Sequence, residues 1–188
     1  IKKGERGFFI YAGKTSYFVV LQKPQPGFVI VITEICLFDY KGSALLLRAG
    51  SQGRQKLKFC QPFCSDFRDQ IYQLDADVSG ENRQLLLNDF IHDTKVYVKY
   101  NTVLGYCITS LKEGPIIAMN EEAGIELMKV KYRTYDKAVI PDENVHALKF
   151  LLKNGFKPAE TKGTRMILGN ELRWKPTHVY SRAGGNFG

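Results

Sequence analysis

The sequence predicts an α/β (α+β) fold in which a mixed, mostly antiparallel sheet is flanked by helices. Three observations predict it. Residues 139–156 read as a strand end, an amphipathic helix and a glycine stop, with Val145, Leu148, Leu151 and Leu152 recurring at one-turn spacing. Lys95-Val-Tyr-Val-Lys99 alternates polar and apolar residues strictly, as a half-buried strand does. Residues 8–12, 16–22 and 28–38 are apolar runs separated by the turn signals Gly13-Lys14 and Pro24-Gln-Pro-Gly27, which predicts an antiparallel meander.

The remaining elements follow in chain order. Pro62 within Cys60-Gln-Pro-Phe-Cys-Ser-Asp66 suggests a breaker at a junction. Residues 71–74 read as a short strand, and Ser79 or Gly80 as the start of a helix to Asp93 with Leu86, Leu87, Phe90 and Ile91 on its apolar face. Asn101-Thr102 turns the chain into a strand over 103–111, and Gly114-Pro115 leads into another over 116–119. A short helix from Asn120 to Lys131 carries acids at its N-terminus and lysines at its C-terminus, as the helix dipole favours. Residues 132–140 read as the next strand. Asp142 is placed to cap the following helix, Gly155 suits a left-handed stop, and Phe156 is placed to fold back onto it. Residues 164–168 and 177–181 would close the sheet as a hairpin or edge pair.

Composition narrows the classes. The 188 residues, 44% hydrophobic and 24% charged, suffice to bury a sizeable core. No apolar run approaches the roughly 20 residues of a membrane helix, so the reading is a cytoplasmic protein with no membrane partner. Four cysteines in a chain this long do not make a disulfide framework. Cys60-x-x-x-Cys64 lacks a second Cys/His pair, so no metal site is read and free thiols are expected. The net charge of +8 is uneven: ten Lys/Arg face three Asp/Glu in residues 1–59, five face eleven in 60–128, and twelve face five in 129–188. Such a pattern fits internal complementarity, a phosphate-binding surface or solvated faces.

Several stretches together carry a family resemblance. Leu74-Asp-Ala-Asp-Val-Ser-Gly80-Glu-Asn-Arg83, Leu104-Gly-Tyr106, Glu113-Gly-Pro115, Asn144-x-x-Ala147, Gly155-Phe156 and Thr164-Arg-Met166-x-x-Gly169 occur in this order. The set resembles the C-terminal acetyltransferase-like domain of tandem GNAT-superfamily N-acetyltransferases. The resemblance implies a GNAT-like domain over residues 66–188, preceded by a β-rich partial GNAT segment over 1–60, which is too short for a complete acetyltransferase domain.

What the resemblance implies about chemistry is residue-specific. Glu34 lies within an apolar strand. There it either faces solvent or, if buried, has a raised pKa suited to a general base, the role of a strand glutamate in the family. Lys41-Gly42-Ser43-Ala44 resembles a shortened form of the loop whose backbone N–H groups hold the pyrophosphate of coenzyme A. Asn144 stands where the family's asparagine touches the cofactor, and Leu151 stands where its catalytic tyrosine would be. Glu121 and Glu122 occupy the second domain's phosphate-loop position, where they would repel phosphate.

The implied function is acetyl-CoA (or other acyl-CoA) dependent transfer to a small-molecule amine or peptide acceptor, with a homodimer left open. A non-catalytic GNAT-like ligand-binding module is the first alternative. A basic nucleic-acid-binding protein is the second; it rests on charge and interleaved aromatics and has no recognised motif.

Overall fold

A computed structural model describes residues 6–12, 15–21, 29–39, 59–112, 114–159, 163–169 and 173–182. Eleven strands and four α-helices are found among them. Strands β1 (Arg6–Ala12) and β2 (Thr15–Leu21) pair antiparallel with each other. Strand β3 (Val29–Asp39) does not continue that meander. It lies between β8 (Lys137–Pro141) and β10 (Gly163–Gly169), antiparallel to both, and also pairs with β9 (Lys157–Pro158). The loss of the meander is long-range in origin: β3 finds its partners about a hundred or more residues along the chain.

The larger sheet has the order β11-β7-β6-β5-β4, from β4 (Cys60–Pro62), β5 (Thr94–Lys99), β6 (Thr102–Ile108), β7 (Ile116–Ala118) and β11 (Val179–Ser181). Pro62 is therefore a strand residue and not a breaker. It is tolerated because β4 is an edge among the described strands, where a missing N–H costs no ladder bond. Nor do the last two strands pair with each other. β10 joins β3, while β11 joins β7 with a register shift between Val179 and Ser181.

Alternation along the strands splits the core in two. Tyr97, Cys107, Ile116 and Ala118 face one helical layer, α3 (Glu121–Lys131) and α4 (Val145–Lys153). Their neighbours Val96, Tyr106, Ile108 and Ile117 face the other, α1 (Arg68–Ser79) and α2 (Gln84–Phe90).

Helix α1 covers residues 71–74, expected as a strand. Ile71, Leu74, Asp75 and Val78 are all buried, and that i, i+3, i+4, i+7 set is the helical period. Gly80 ends this helix instead of starting the next. It is left-handed at φ 74°, its N–H donates to Ala76 O at 2.9 Å, and a Cβ there would press on the Arg173 backbone. The following helix starts four residues later, at Gln84. Residues 132–140 form a shorter strand than expected, because the helix cap at Tyr132 and the turn after it take up the first part.

At α4 the stop is as read from sequence. Gly155 has φ 85°, its N–H donates to Leu152 O at 3.1 Å, and Phe156 N–H donates to Leu151 O at 3.0 Å, the paired bonds of a Schellman motif. Phe156 is buried against Tyr132 with ring centroids 5.4 Å apart. The start differs by two residues. Asn144, not Asp142, is the cap, because Asn144 Oδ1 accepts the Ala147 N–H at 3.0 Å while the chain turns through Asp142.

Candidate functional site: the crevice at two helix N-termini

Strand β7 leads into α3, α3 leads back to β8, and β8 leads into α4. In such a unit, binding crevices form at the carboxyl ends of the strands, beside the helix N-termini with their free N–H groups. The two N-termini meet here: His146 Nδ1 on α4 lies 2.9 Å from Glu121 Oε2 on α3.

Asn120 caps α3 as Asn144 caps α4, accepting the Ala123 N–H at 2.9 Å. Glu121 and Glu122 fill the first turn, and Glu122 pairs with Lys99 at 3.4 Å. Lys99 also sits over the rings of Phe59 and Tyr100. A phosphate at this helix end would meet two carboxylates and a donor already used by the cap. These residues do not fit coenzyme A.

Residues 178–182 lie in the crevice between β7 and β8. His178 Nδ1 is 3.2 Å from Ala118 O, a bond that needs the proton on Nδ1. Asn144 Nδ2 donates to Val179 O at 2.9 Å, and Arg182 N–H donates to Val139 O at 2.8 Å. The Tyr180 ring lies on α3 so closely that a Cβ at Gly124 would overlap it. Burial, with Glu121 adding to it, pushes the Tyr180 phenol up to about 12.

Two buried polar clusters flank this region. Lys131, 1% exposed, donates to Gly114 O and to Ser181 Oγ, the latter at 3.2 Å. On the opposite face of the sheet, Asp75 accepts from Tyr106 Oη and from Arg83, whose Nε is 3.0 Å away. Burial works against the Arg83 charge, but the Asp75 carboxylate outweighs it and raises the guanidinium above its ordinary value. Sequence reading placed Tyr180 among the tyrosines able to line a cleft, Gly124 in the phosphate-loop position and Lys131 at a helix end. It gave neither the contact between Tyr180 and Gly124 nor the buried roles of Asp75 and Lys131. The signal for Gly124 was available, since a glycine inside a helical pattern usually has a packing reason.

The sequence-predicted residues fall as follows. Register sets Glu34 opposite Thr164, next to Ile35, which pairs with Pro141 at the end of β8 that leads to Asn144. Glu34 and Asn144 thus belong to the same end of this sheet. Lys41, Gly42, Ser43 and Ala44 lie outside the described residues, beyond Asp39, which pairs with Lys137 at the other end of β8. The coenzyme contact that the resemblance implies for Asn144 would have to come from an amide whose oxygen and nitrogen are both engaged within the chain. Cys60 and Cys107 have thiols pushed up by burial, to about 12 and about 11. No group of three or more metal-ligating side chains, and no helix long and apolar enough to cross a membrane, occurs among the described residues.

This arrangement, an antiparallel sheet with one helical layer on each face and a β7-α3-β8-α4 unit, defines a GNAT-type domain. The chain belongs to that family: the profile described as "Acetyltransferase (GNAT) domain" matches residues 71–181. Its fold is similar to the crystal structure of a candidate acetyltransferase from Pyrococcus horikoshii, with TM-score 0.62 and 13% identity, over 84% of this chain and 52% of that one. A GNAT-family acetyltransferase from Colwellia psychrerythraea aligns with TM-score 0.47 and 11% identity, over 76% and 63% of the two chains. The chain thus spans about half the length of the first of these structures. No curated protein matches it significantly.

Proposed function

We propose that the protein transfers an acyl group from acetyl-CoA, or another acyl-CoA, to the amine of a small molecule or peptide. Family membership over residues 71–181 is the observation that carries this reading. Because the N-terminus of α3 is closed to phosphate, the reading assigns the cofactor to the backbone of Lys41, Gly42, Ser43 and Ala44. Glu34 takes the proton from the attacking amine. Pairing of Glu34 with Thr164 on β10, beside Ile35 paired with Pro141 on β8, supports a place for Glu34 within the sheet. Asn144 enters as a positioning residue, since it ties the start of α4 to β11.

Calorimetric titration with acetyl-CoA tests the reading. Micromolar binding, kept in Glu34→Gln while turnover of an amine substrate falls at least a hundredfold, is the expected result. No heat at millimolar acetyl-CoA would remove acyl transfer for this chain. The second reading, a non-catalytic binding module on a GNAT frame, would then take its place; the engaged donors at α3 and α4 favour it.

A further inference from the structure

A crevice between strands stays open to a ligand only while its walls keep unpaired groups and room. In the β7–β8 crevice, groups on both walls are already engaged within the chain. On the β7 side, Ala118 O is met by His178; on the β8 side, Val139 O is met by the Arg182 N–H; at the head of α4, Asn144 Nδ2 is met by Val179 O. Val179, Tyr180 and Ser181 are 5%, 2% and 1% exposed, so they fill the space as core residues do. Val179 faces the α1–α2 core and Tyr180 the α3–α4 core, so the strand contributes to both layers. The approach to it is fixed as well. Lys175 N–H donates to Val78 O at 2.8 Å, and Lys175 Nζ pairs with Asp77 at 3.0 Å, which fastens the lead-in to the end of α1.

We propose that β11 is a built-in occupant of the crevice between β7 and β8, so that the domain of residues 71–181 holds its own strand where an extended cofactor would otherwise lie. The fit is specific. At Gly124 a Cβ would collide with Tyr180, and Lys131 reaches Ser181 from the last turn of the same helix. The occupied crevice does not depend on whether the whole protein transfers acyl groups. It leans on the preceding proposal only for where the cofactor goes instead.

Hydrogen exchange of the full chain, read by mass spectrometry with and without millimolar acetyl-CoA, tests it. In the free protein, peptides covering 176–182 are expected to be protected as strongly as those covering 116–118, and acetyl-CoA leaves both unchanged. Exchange of 176–182 at the rate of an unstructured peptide would overturn the proposal. So would faster exchange there on adding acetyl-CoA, together with new protection at 119–124. If acetyl-CoA binds nowhere, acyl transfer falls while the protected strand still supports this inference. Gly124→Ala provides the second arm. The added methyl should displace Tyr180 and speed exchange of 176–182 at least tenfold, while β4, β5 and β6 stay protected. A variant with unchanged exchange in that segment would also overturn the proposal.

Discussion

The same four-residue pattern, Asn-x-x-Ala, opens both α3 and α4, and the two copies do different work. Asn120 and Asn144 each accept the N–H three residues on, at 2.9 and 3.0 Å. Asn120 is exposed and followed by two glutamates, so its role ends with its own helix. Asn144 is 1% exposed, and its Nδ2 crosses to the main chain of β11. Local sequence sets the cap; burial sets whether the other half of the amide becomes a tertiary contact.

Substitutions that separate the two halves of the amide should separate the two helices. Asn144→Asp keeps the cap acceptor but turns a carboxylate oxygen toward Val179 O; we expect a loss of about 3 kcal/mol in urea unfolding. Asn144→Ala removes both contacts and should cost about 2 kcal/mol, while Asn120→Ala removes an exposed cap alone and should cost about 1 kcal/mol. Equal losses for the two alanine variants would mean that the bond to β11 contributes nothing. At the far end of α4, Gly155→Ala strains a φ of 85° and should cost about 1 kcal/mol, with no effect on exchange in β11.

The smallest effect at neutral pH comes from Tyr180, whose ring lies against Gly124 of α3. Its folded-state value, raised from 10 to about 12, makes a contribution that is complete below pH 10 and is lost as the pH rises toward 12. Urea midpoints should therefore fall over that interval, and Tyr180→Phe should make the fall shallower. An identical slope in wild type and variant would show that Tyr180 ionises as readily folded as unfolded.

Much of the second half of the chain was legible in the sequence. The Schellman stop at Gly155 and the dipole-matched charges of α3 are local, and local physics decides them. β5 is a strand as read, but Val96 and Tyr97 are both buried, so it is covered on both faces and not half-buried. Residues 71–74 misled because Ile-Tyr-Gln-Leu favours a strand over four residues, while the helical period shows only when Val78 is included. Gly80 is compatible with either end of a helix, and the space beside Arg173 that decides its role lies far along the chain. The departure of β3 from the meander and the insertion of β11 beside β7 have no local signature at all. Both depend on which edges other segments leave free. Family resemblance identified the frame, yet the strand in the crevice could be seen only in three dimensions.

Pro62 bears on how the molecule meets others. The five-stranded sheet ends at β4, a strand of three residues whose last member has no N–H to offer. A neighbouring chain that tried to extend the ladder there would find too few donors and a ring in its path. Among the described strands, the proline thus makes this end of the sheet a poor template for a further strand.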